Sequence, residues 1–110
     1  MATKANLLID QGATFTTAIT ITDNDGNPLD LTGYTGAAQI RKHYTSLTAI
    51  NFDFQIAGTG NSEVILSLTA NATGNIVAGR YVYDCELYSG QTVSRVLEGL
   101  VTVTPQVTKV

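Results

Sequence analysis

The alternation of apolar and polar residues predicts most of the strands in this chain. Segment 13–22 alternates strictly, and one of its two faces carries Phe15, Thr17, Ile19 and Ile21. A period of two residues is typical of a strand with one buried face. Segment 50–56 has the clearest alternation, and its apolar face consists of Ile50, Phe52, Phe54 and Ile56. Segment 62–68 predicts another strand, with Val64, Leu66 and Leu68 on its apolar face.

Two further segments give weaker strand signals. The apolar run 6–10 ends at Gln11-Gly12, so it is either a separate first strand or the first half of a split one. Segment 33–44 is less regular and places the small residues Gly36, Ala37 and Ala38 near its start. Small residues in a strand let another group pack closely over it, or they mark a bulge.

The last third of the chain predicts a helical turn followed by a long hairpin. Segment 68–79 breaks the alternation, with Thr69 or Asn71 as the N-cap and Gly79 as the stop. Two longer strands, 80–88 and 92–104, follow around a short turn. Val96 is out of phase with the second strand's apolar face, and we expect a bulge at Glu98-Gly99.

The segment 23–28, DNDGNP, resembles a calcium loop at first sight. The EF-hand pattern requires glycine at the sixth position and glutamate at the twelfth. Here glycine is fourth, and Tyr34 occupies the twelfth position. Asp, Asn and Gly are the expected turn formers, so we interpret the segment as a turn.

These elements amount to about seven short strands separated by turn signals, which indicates an all-β sandwich or barrel. The strand that begins at Arg80 favours the sandwich, because a helical turn leads into two tyrosines. One of them is expected to form a tyrosine corner, in which the hydroxyl bonds the backbone of the preceding turn. Tyr81 is nearer the corner than Tyr83, so we assign the role to Tyr81.

Composition and charge narrow the classes of protein. The chain has 110 residues, of which 44% are hydrophobic and 14% charged, so we expect one domain over residues 1–110 with short terminal tails. A net charge of −3 makes nucleic acid and anionic membranes poor partners. One cysteine cannot form an internal disulfide, and no secretion signal precedes the first strand, so a reducing compartment is expected.

Candidate chemistry is sparse. The lone Cys85 shares a strand face with Tyr81, Tyr83 and Leu87, and we interpret it as a buried core residue. A nucleophilic cysteine needs a base, and the one histidine, His43, lies on a different strand. We therefore expect no catalytic residue, no metal site, no cofactor and no enzyme activity.

One cationic and aromatic cluster, Arg41, Lys42, His43 and Tyr44, stands out. Such a cluster is either a solvated strand end or a contact with a partner, because arginine and tyrosine are enriched at protein interfaces. These four residues are the candidates for partner contact.

Several turn and strand motifs resemble a known family. They are DQGATF at 10–15, DLTGYT at 30–35 leading into QIR at 39–41, AGRYVYDCEL at 78–87, and GLVTVTP at 99–105. Together they resemble small Ig-like β-sandwich virion structural proteins of tailed bacteriophages, over almost the whole chain. The resemblance implies a single Ig-like antiparallel β-sandwich, assembly in the bacterial cytoplasm and residence in the virion.

The resemblance also implies partners and a role. A capsid decoration or cement subunit is expected first, in contact with other virion proteins and present in multiple copies or as a homo-oligomer. The alternatives are an adaptor at the neck, tail or baseplate, and a module that binds a host glycan or surface protein. Tyr44 and Tyr88 would carry glycan binding, whereas the segments 6–10 and 103–110 would dock on a neighbour.

Overall fold

The computed structural model describes residues 3–23 and 25–108, whose strands form two facing sheets. The strands are β1 Thr3–Lys4, β2 Leu7–Asp10, β3 Phe15–Thr20, β4 Thr35–Arg41, β5 Ile50–Asn51, β6 Asp53–Ala57, β7 Glu63–Leu68, β8 Gly79–Ser89 and β9 Thr92–Thr104. A 3-10 turn, Thr59–Asn61, precedes β7, and helix α1, Ala70–Gly74, follows it. The predicted all-β sandwich is confirmed.

The larger sheet has six strands in the order β1-β9-β8-β4-β5, with β2 also pairing β9. The smaller sheet has the order β3-β7-β6. The pairings of β1 and β2 with β9 are parallel, and the other strand pairs are antiparallel. Within the segment 6–10, Leu7–Asp10 thus forms a strand of its own, in a different sheet from β3. Docking of this segment on a neighbour stays a prediction.

The inward faces of both sheets supply one apolar core. Alternate residues of β7 and β8 are buried, as the period-two pattern predicted. The fully buried side chains include Ile9, Ile40, Leu66, Leu97 and Val101. Burial of a large aliphatic side chain contributes about 1.5–3 kcal/mol, so this set is the main source of stability.

Segment 50–56 is divided between the two sheets. Ile50–Asn51 pairs with β4 in the larger sheet, whereas Asp53–Ala57 pairs with β7 in the smaller one. Phe52 lies between them, buried, with its backbone N–H bonded to the carbonyl of Ala38 (3.0 Å). The alternation stays unbroken because both halves point their apolar residues into the same core.

The bulge in β9 lies upstream of the predicted position. Cys85 pairs with Leu97 and Glu86 with Arg95, so the unpaired extra residue is Val96. The prediction of a bulge at Glu98-Gly99 was therefore wrong. Gly99 is required for another reason: a side chain there would overlap the carbonyl oxygen of Ala5.

The turns and caps follow their local sequence signals. Thr69 caps helix α1 by accepting a hydrogen bond from Ala72 N (3.1 Å). The helix ends at Gly74 with Asn75 as its C-cap, and Gly79 begins β8 instead of stopping the helix. The Tyr81 hydroxyl donates to the carbonyl of Val77 (2.5 Å), as predicted for the tyrosine corner. Around the calcium-like loop, Asp23 Oδ1 accepts from two backbone N–H groups, which fits the turn interpretation; Asn24 lies outside the described residues.

The small residues of β4 permit close contact between the sheets. A Cβ on Gly36 would lie 2.6 Å from Phe54 Cζ and 2.7 Å from the carbonyl oxygen of Glu86. Phe54 belongs to the opposite sheet, so its ring reaches the space that a side chain on β4 would occupy. The predicted close packing over this part of the strand is confirmed.

We expect Gly36→Val to lower the free energy of unfolding by about 1–3 kcal/mol, because overpacking at this contact forces the two sheets apart. The matched control is Ala37→Val, one residue along the same strand on the exposed face, where the added methyl groups meet solvent. Urea unfolding of the three proteins measures the difference. Equal stability of Gly36→Val and Ala37→Val would contradict the assigned role of the Gly36–Phe54 contact.

Candidate partner-contact surface

The predicted cluster 41–44 divides between two sides of the larger sheet. Arg41 is the last residue of β4, and Tyr44 lies in the turn that follows. Tyr44 is 84% exposed and lines a groove across the outer face of the sheet. Lys42 turns to the other side, beside the start of β8, where its Nζ donates to the carbonyl of Arg80 (3.0 Å) and lies 4.8 Å from the Tyr81 ring centre. His43 is exposed and does not line the groove.

Arg41 organises the turn that carries Tyr44. Its guanidinium donates to the backbone carbonyl of Ser46 (2.7 Å) and to Gln39 Oε1 (2.9 Å). His43 N donates to Ser46 Oγ (2.9 Å), which closes the turn. The Arg41 side chain is thereby largely occupied by its own chain, so its main contribution to a contact is to hold Tyr44 in place.

We call the depression on both sides of Tyr44 the Tyr44 groove. It has two lobes, of about 300 and 290 Å³, and both are lined by Tyr44 and Glu98. The first lobe is also lined by Gln39, Arg41, Val82, Tyr83, Asp84 and Arg95, and the second by Lys4, Asn6, Gly99 and Leu100. The groove is therefore lined by residues of β1, β4, β8 and β9. The sequence indicated only the part of it that is formed by Arg41 and Tyr44.

The centre of this face is apolar, and its rim is charged. Strand register aligns Arg41 with Val82 and Val82 with Leu100, so two apolar side chains point outward side by side. Leu100 is 38% exposed, and Leu8 on the neighbouring strand is 62% exposed. An apolar centre with an exposed aromatic residue and a polar rim is the usual composition of a protein interface.

The charges on the rim are paired with each other. Arg95 contacts Asp84 (3.5 Å) and Glu98 (3.4 Å), and all three side chains are substantially exposed. Exposed ion pairs contribute little to stability, so these groups can exchange partners at low cost. A docking protein would thus contact a rim whose positive and negative charges are paired with each other.

The pKa of Asp84 lies above its usual range. Partial burial on the sheet disfavours the carboxylate, and the nearby charge of Glu86 adds to the effect, against the opposing charge of Arg95. A carboxyl group of this kind destabilises the folded protein at neutral pH, where it must be ionised.

We expect Asp84→Asn to raise the free energy of unfolding at neutral pH. This gain should disappear at about pH 3, where the carboxyl is protonated in the folded and in the unfolded protein. Urea unfolding at the two pH values measures the difference. Asp30→Asn is the opposite-sign control, because hydrogen bonds from Thr32 lower the pKa of Asp30 and its contribution is lost as pH falls. A gain for Asp84→Asn that did not change with pH would contradict this assignment.

Cys85 lies in the core, as the sequence predicted. Its side chain is fully buried in β8 between the two sheets. Burial raises the pKa of the thiol to about 12, and the nearby charges of Asp84 and Glu86 add to the shift. Since the thiolate is the reactive form, this cysteine is inert in the folded state.

We expect the folded protein to resist modification by a thiol reagent such as DTNB, and urea to expose one thiol per chain. Absorbance at the start and end of unfolding measures both. The Gln55→Cys variant, with a thiol at an exposed position of β6, is the positive control. Rapid labelling of the folded wild-type protein would contradict the core assignment.

Within residues 3–23 and 25–108, no three His, Cys, Asp or Glu side chains are grouped so as to hold a metal ion. No helix among these residues has the length and hydropathy that a membrane crossing requires.

Comparisons with known proteins bear on the fold alone. No family model matches the chain, and no curated protein matches it. Among solved structures, the chain is similar to InlP of Listeria monocytogenes, with a TM-score of 0.50 and 12% sequence identity over 94% of this chain. The chain spans 28% of the length of that structure. At this identity the likeness supports a β-sandwich and carries no function across.

Proposed function

We propose that this chain is a non-enzymatic structural protein of a tailed-phage virion, present in many copies as a capsid decoration or cement subunit. The observation that carries the proposal is the Tyr44 groove, which has the composition of a protein-binding surface. The phage context comes from the motifs at 10–15, 30–41, 78–87 and 99–105, which resemble those of virion structural proteins.

The geometry of the groove suits a protein partner better than a small molecule. Its first lobe is only partly enclosed, and its Arg41 donors are already bonded to the chain. Small-molecule sites are typically enclosed cavities with a few unpaired polar groups aimed inward. Here the exposed Tyr44 ring lines both lobes, together with Val82 in the first and Leu100 in the second, and these side chains offer an apolar surface to a protein partner.

The same features favour a lattice partner. A decoration subunit binds a repeating surface, so a modest contact at each copy suffices when neighbouring subunits bind together. The partner would be a capsid protein, and the complex would form in the bacterial cytoplasm during assembly.

Quantitative mass spectrometry of purified virions tests the role. A copy number close to that of the major capsid protein is expected for a decoration subunit. A low copy number in a multiple of three or six would instead favour the neck, tail or baseplate. Absence from the particle would overturn the virion proposal and favour a host-directed recognition module.

Tyr44→Ala tests the surface. We expect Tyr44 to be a hot spot of the interface, and truncation of a hot spot costs about 2 kcal/mol or more, so binding to the partner lattice should weaken by about 30-fold or more. The change should leave the free energy of unfolding nearly the same, because the ring is exposed.

Leu47→Ala is the matched control, since Leu47 is 99% exposed in the same turn and does not line the groove. Binding of purified variants to virions stripped of this protein, measured by co-sedimentation, gives the comparison. Equal binding by both variants would contradict the role of the Tyr44 groove.

A further inference from the structure

The outer edge of β3 is an open strand edge. Strand β3 pairs with β7 on one side, and no strand in the described part of the chain pairs with its other side. The six residues of β3 include no charge, no proline and no glycine. Monomeric proteins normally protect such an edge, because its free backbone groups invite another strand.

The other sheet edges are protected in recognisable ways. Strand β5 has only two residues, and β6 begins with Asp53. The N-terminal edge is broken between β1 and β2 and carries Lys4 and Asp10. The β3 edge is therefore the one long uncharged edge among the described residues.

The hydrogen bonds between β3 and β7 define which backbone N–H and C=O groups of β3 face the open edge. In register with the β3–β7 ladder, Ile21 N donates to the carbonyl of Ser62 (2.8 Å), so the odd-numbered residues direct their backbone groups toward β7. Successive residues of a strand direct these groups to opposite sides. The N–H and C=O groups of Thr16, Ala18 and Thr20 therefore face the open edge.

We propose that β3 pairs with β3 of a second copy of this chain, antiparallel about a two-fold axis at Ala18. In this register Ala18 lies opposite Ala18 of the second copy, and Thr16 lies opposite Thr20. All three edge-facing residues then fall in bonded pairs, which gives about six backbone hydrogen bonds. The result is one continuous sheet across both copies.

The side chains of this edge suit a second copy because they are compatible with themselves. Two chains of net charge −3 repel, but no charged residue lies in either central strand. Threonine pairs across strands are favourable, and the small Ala18 permits close approach at the axis. Ile65 of β7 pairs with Ala18, and both side chains lie on the outer face of the sheet. In the dimer, Ile65 and Ala18 of one copy and Ala18 and Ile65 of the other would therefore form one apolar strip across the sheet.

This pairing is independent of the proposed virion function, since it rests on β3 and β7 and not on the Tyr44 groove. The two surfaces also belong to different sheets, so one copy can use both at once.

Disulfide trapping tests the register. In the proposed pair the two Ala18 Cα atoms are about 5.5 Å apart, within the range that a disulfide spans. The native Cys85 is buried, so Ala18→Cys adds one reactive thiol. We expect a covalent dimer to form at least about tenfold faster than in the control Gln55→Cys, because association holds the two thiols together. Gln55 is the exposed central residue of β6, at the opposite edge of the same sheet.

Sedimentation velocity over a range of concentrations tests the association itself. The wild-type chain should dimerise, and Ala18→Lys should weaken the dimer at least about tenfold, because two like charges then meet at the axis. Ala18→Pro provides a second variant that removes the N–H donor at the same place. Circular dichroism should show both variants folded, since the Ala18 backbone groups face away from β7.

Equal cross-linking of Ala18→Cys and Gln55→Cys would overturn the proposal. A wild-type chain that stays monomeric over the whole concentration range in sedimentation velocity would also overturn it.

Discussion

The parallel pairing of the N-terminal strands with β9 is the constraint on which the rest of the sandwich depends. The buried Tyr83 donates its hydroxyl to the carbonyl of Ala5 (2.6 Å), and Asn6 Oδ1 accepts from Leu100 N (3.0 Å). Because Gly99 has no side chain, the backbone carbonyl of Ala5 can lie against it. Further along, Thr104 Oγ1 donates to Asp10 Oδ1 (2.8 Å). Residues 3–10 thus belong to the larger sheet, and β3 has a partner strand on one side only.

The chain changes sheets on both sides of the sandwich. Between β2 and β3 it crosses at 11–14, where Gly12 N donates to Thr73 Oγ1 (3.0 Å) and Gln11 side-chain N to the carbonyl of Ile76 (2.8 Å). Between β5 and β6 it crosses at Phe52, whose ring contacts Phe15 and Tyr83 at centroid distances of 6.0 and 6.1 Å. These are two of the four places where the chain passes between the sheets, and they lie at opposite sheet edges, so covalent chain joins the sheets on both sides of one core.

Alternation and turn chemistry predicted the strands, the Thr69 cap and the Tyr81 corner, because each depends on neighbours within a few residues. The break at Phe52 was not predictable, since a strand that changes sheets keeps the same inward face. The bulge was misplaced because Gly99 looked like a bulge residue, whereas it accommodates Ala5, which is remote in sequence. The sequence indicated two residues of the Tyr44 groove, Arg41 and Tyr44. It did not indicate the residues of β8 and β9 that strand pairing places beside them. Val82 and Leu100 gave one unused signal, since both are apolar at positions where alternation expects a polar residue.

The parallel alignment of β2 and β9 also determines how the fold bears tension. The chain enters β2 at one end of this strand pair and leaves β9 at the other, so forces that draw the two ends of the chain apart pull the strands lengthwise past each other. The bonds between Leu7–Asp10 and Val101–Thr104 then share the load at the same time, instead of opening one after another as in a hairpin pulled from its open end. Such a shear arrangement resists mechanical extension far better than its few hydrogen bonds would suggest.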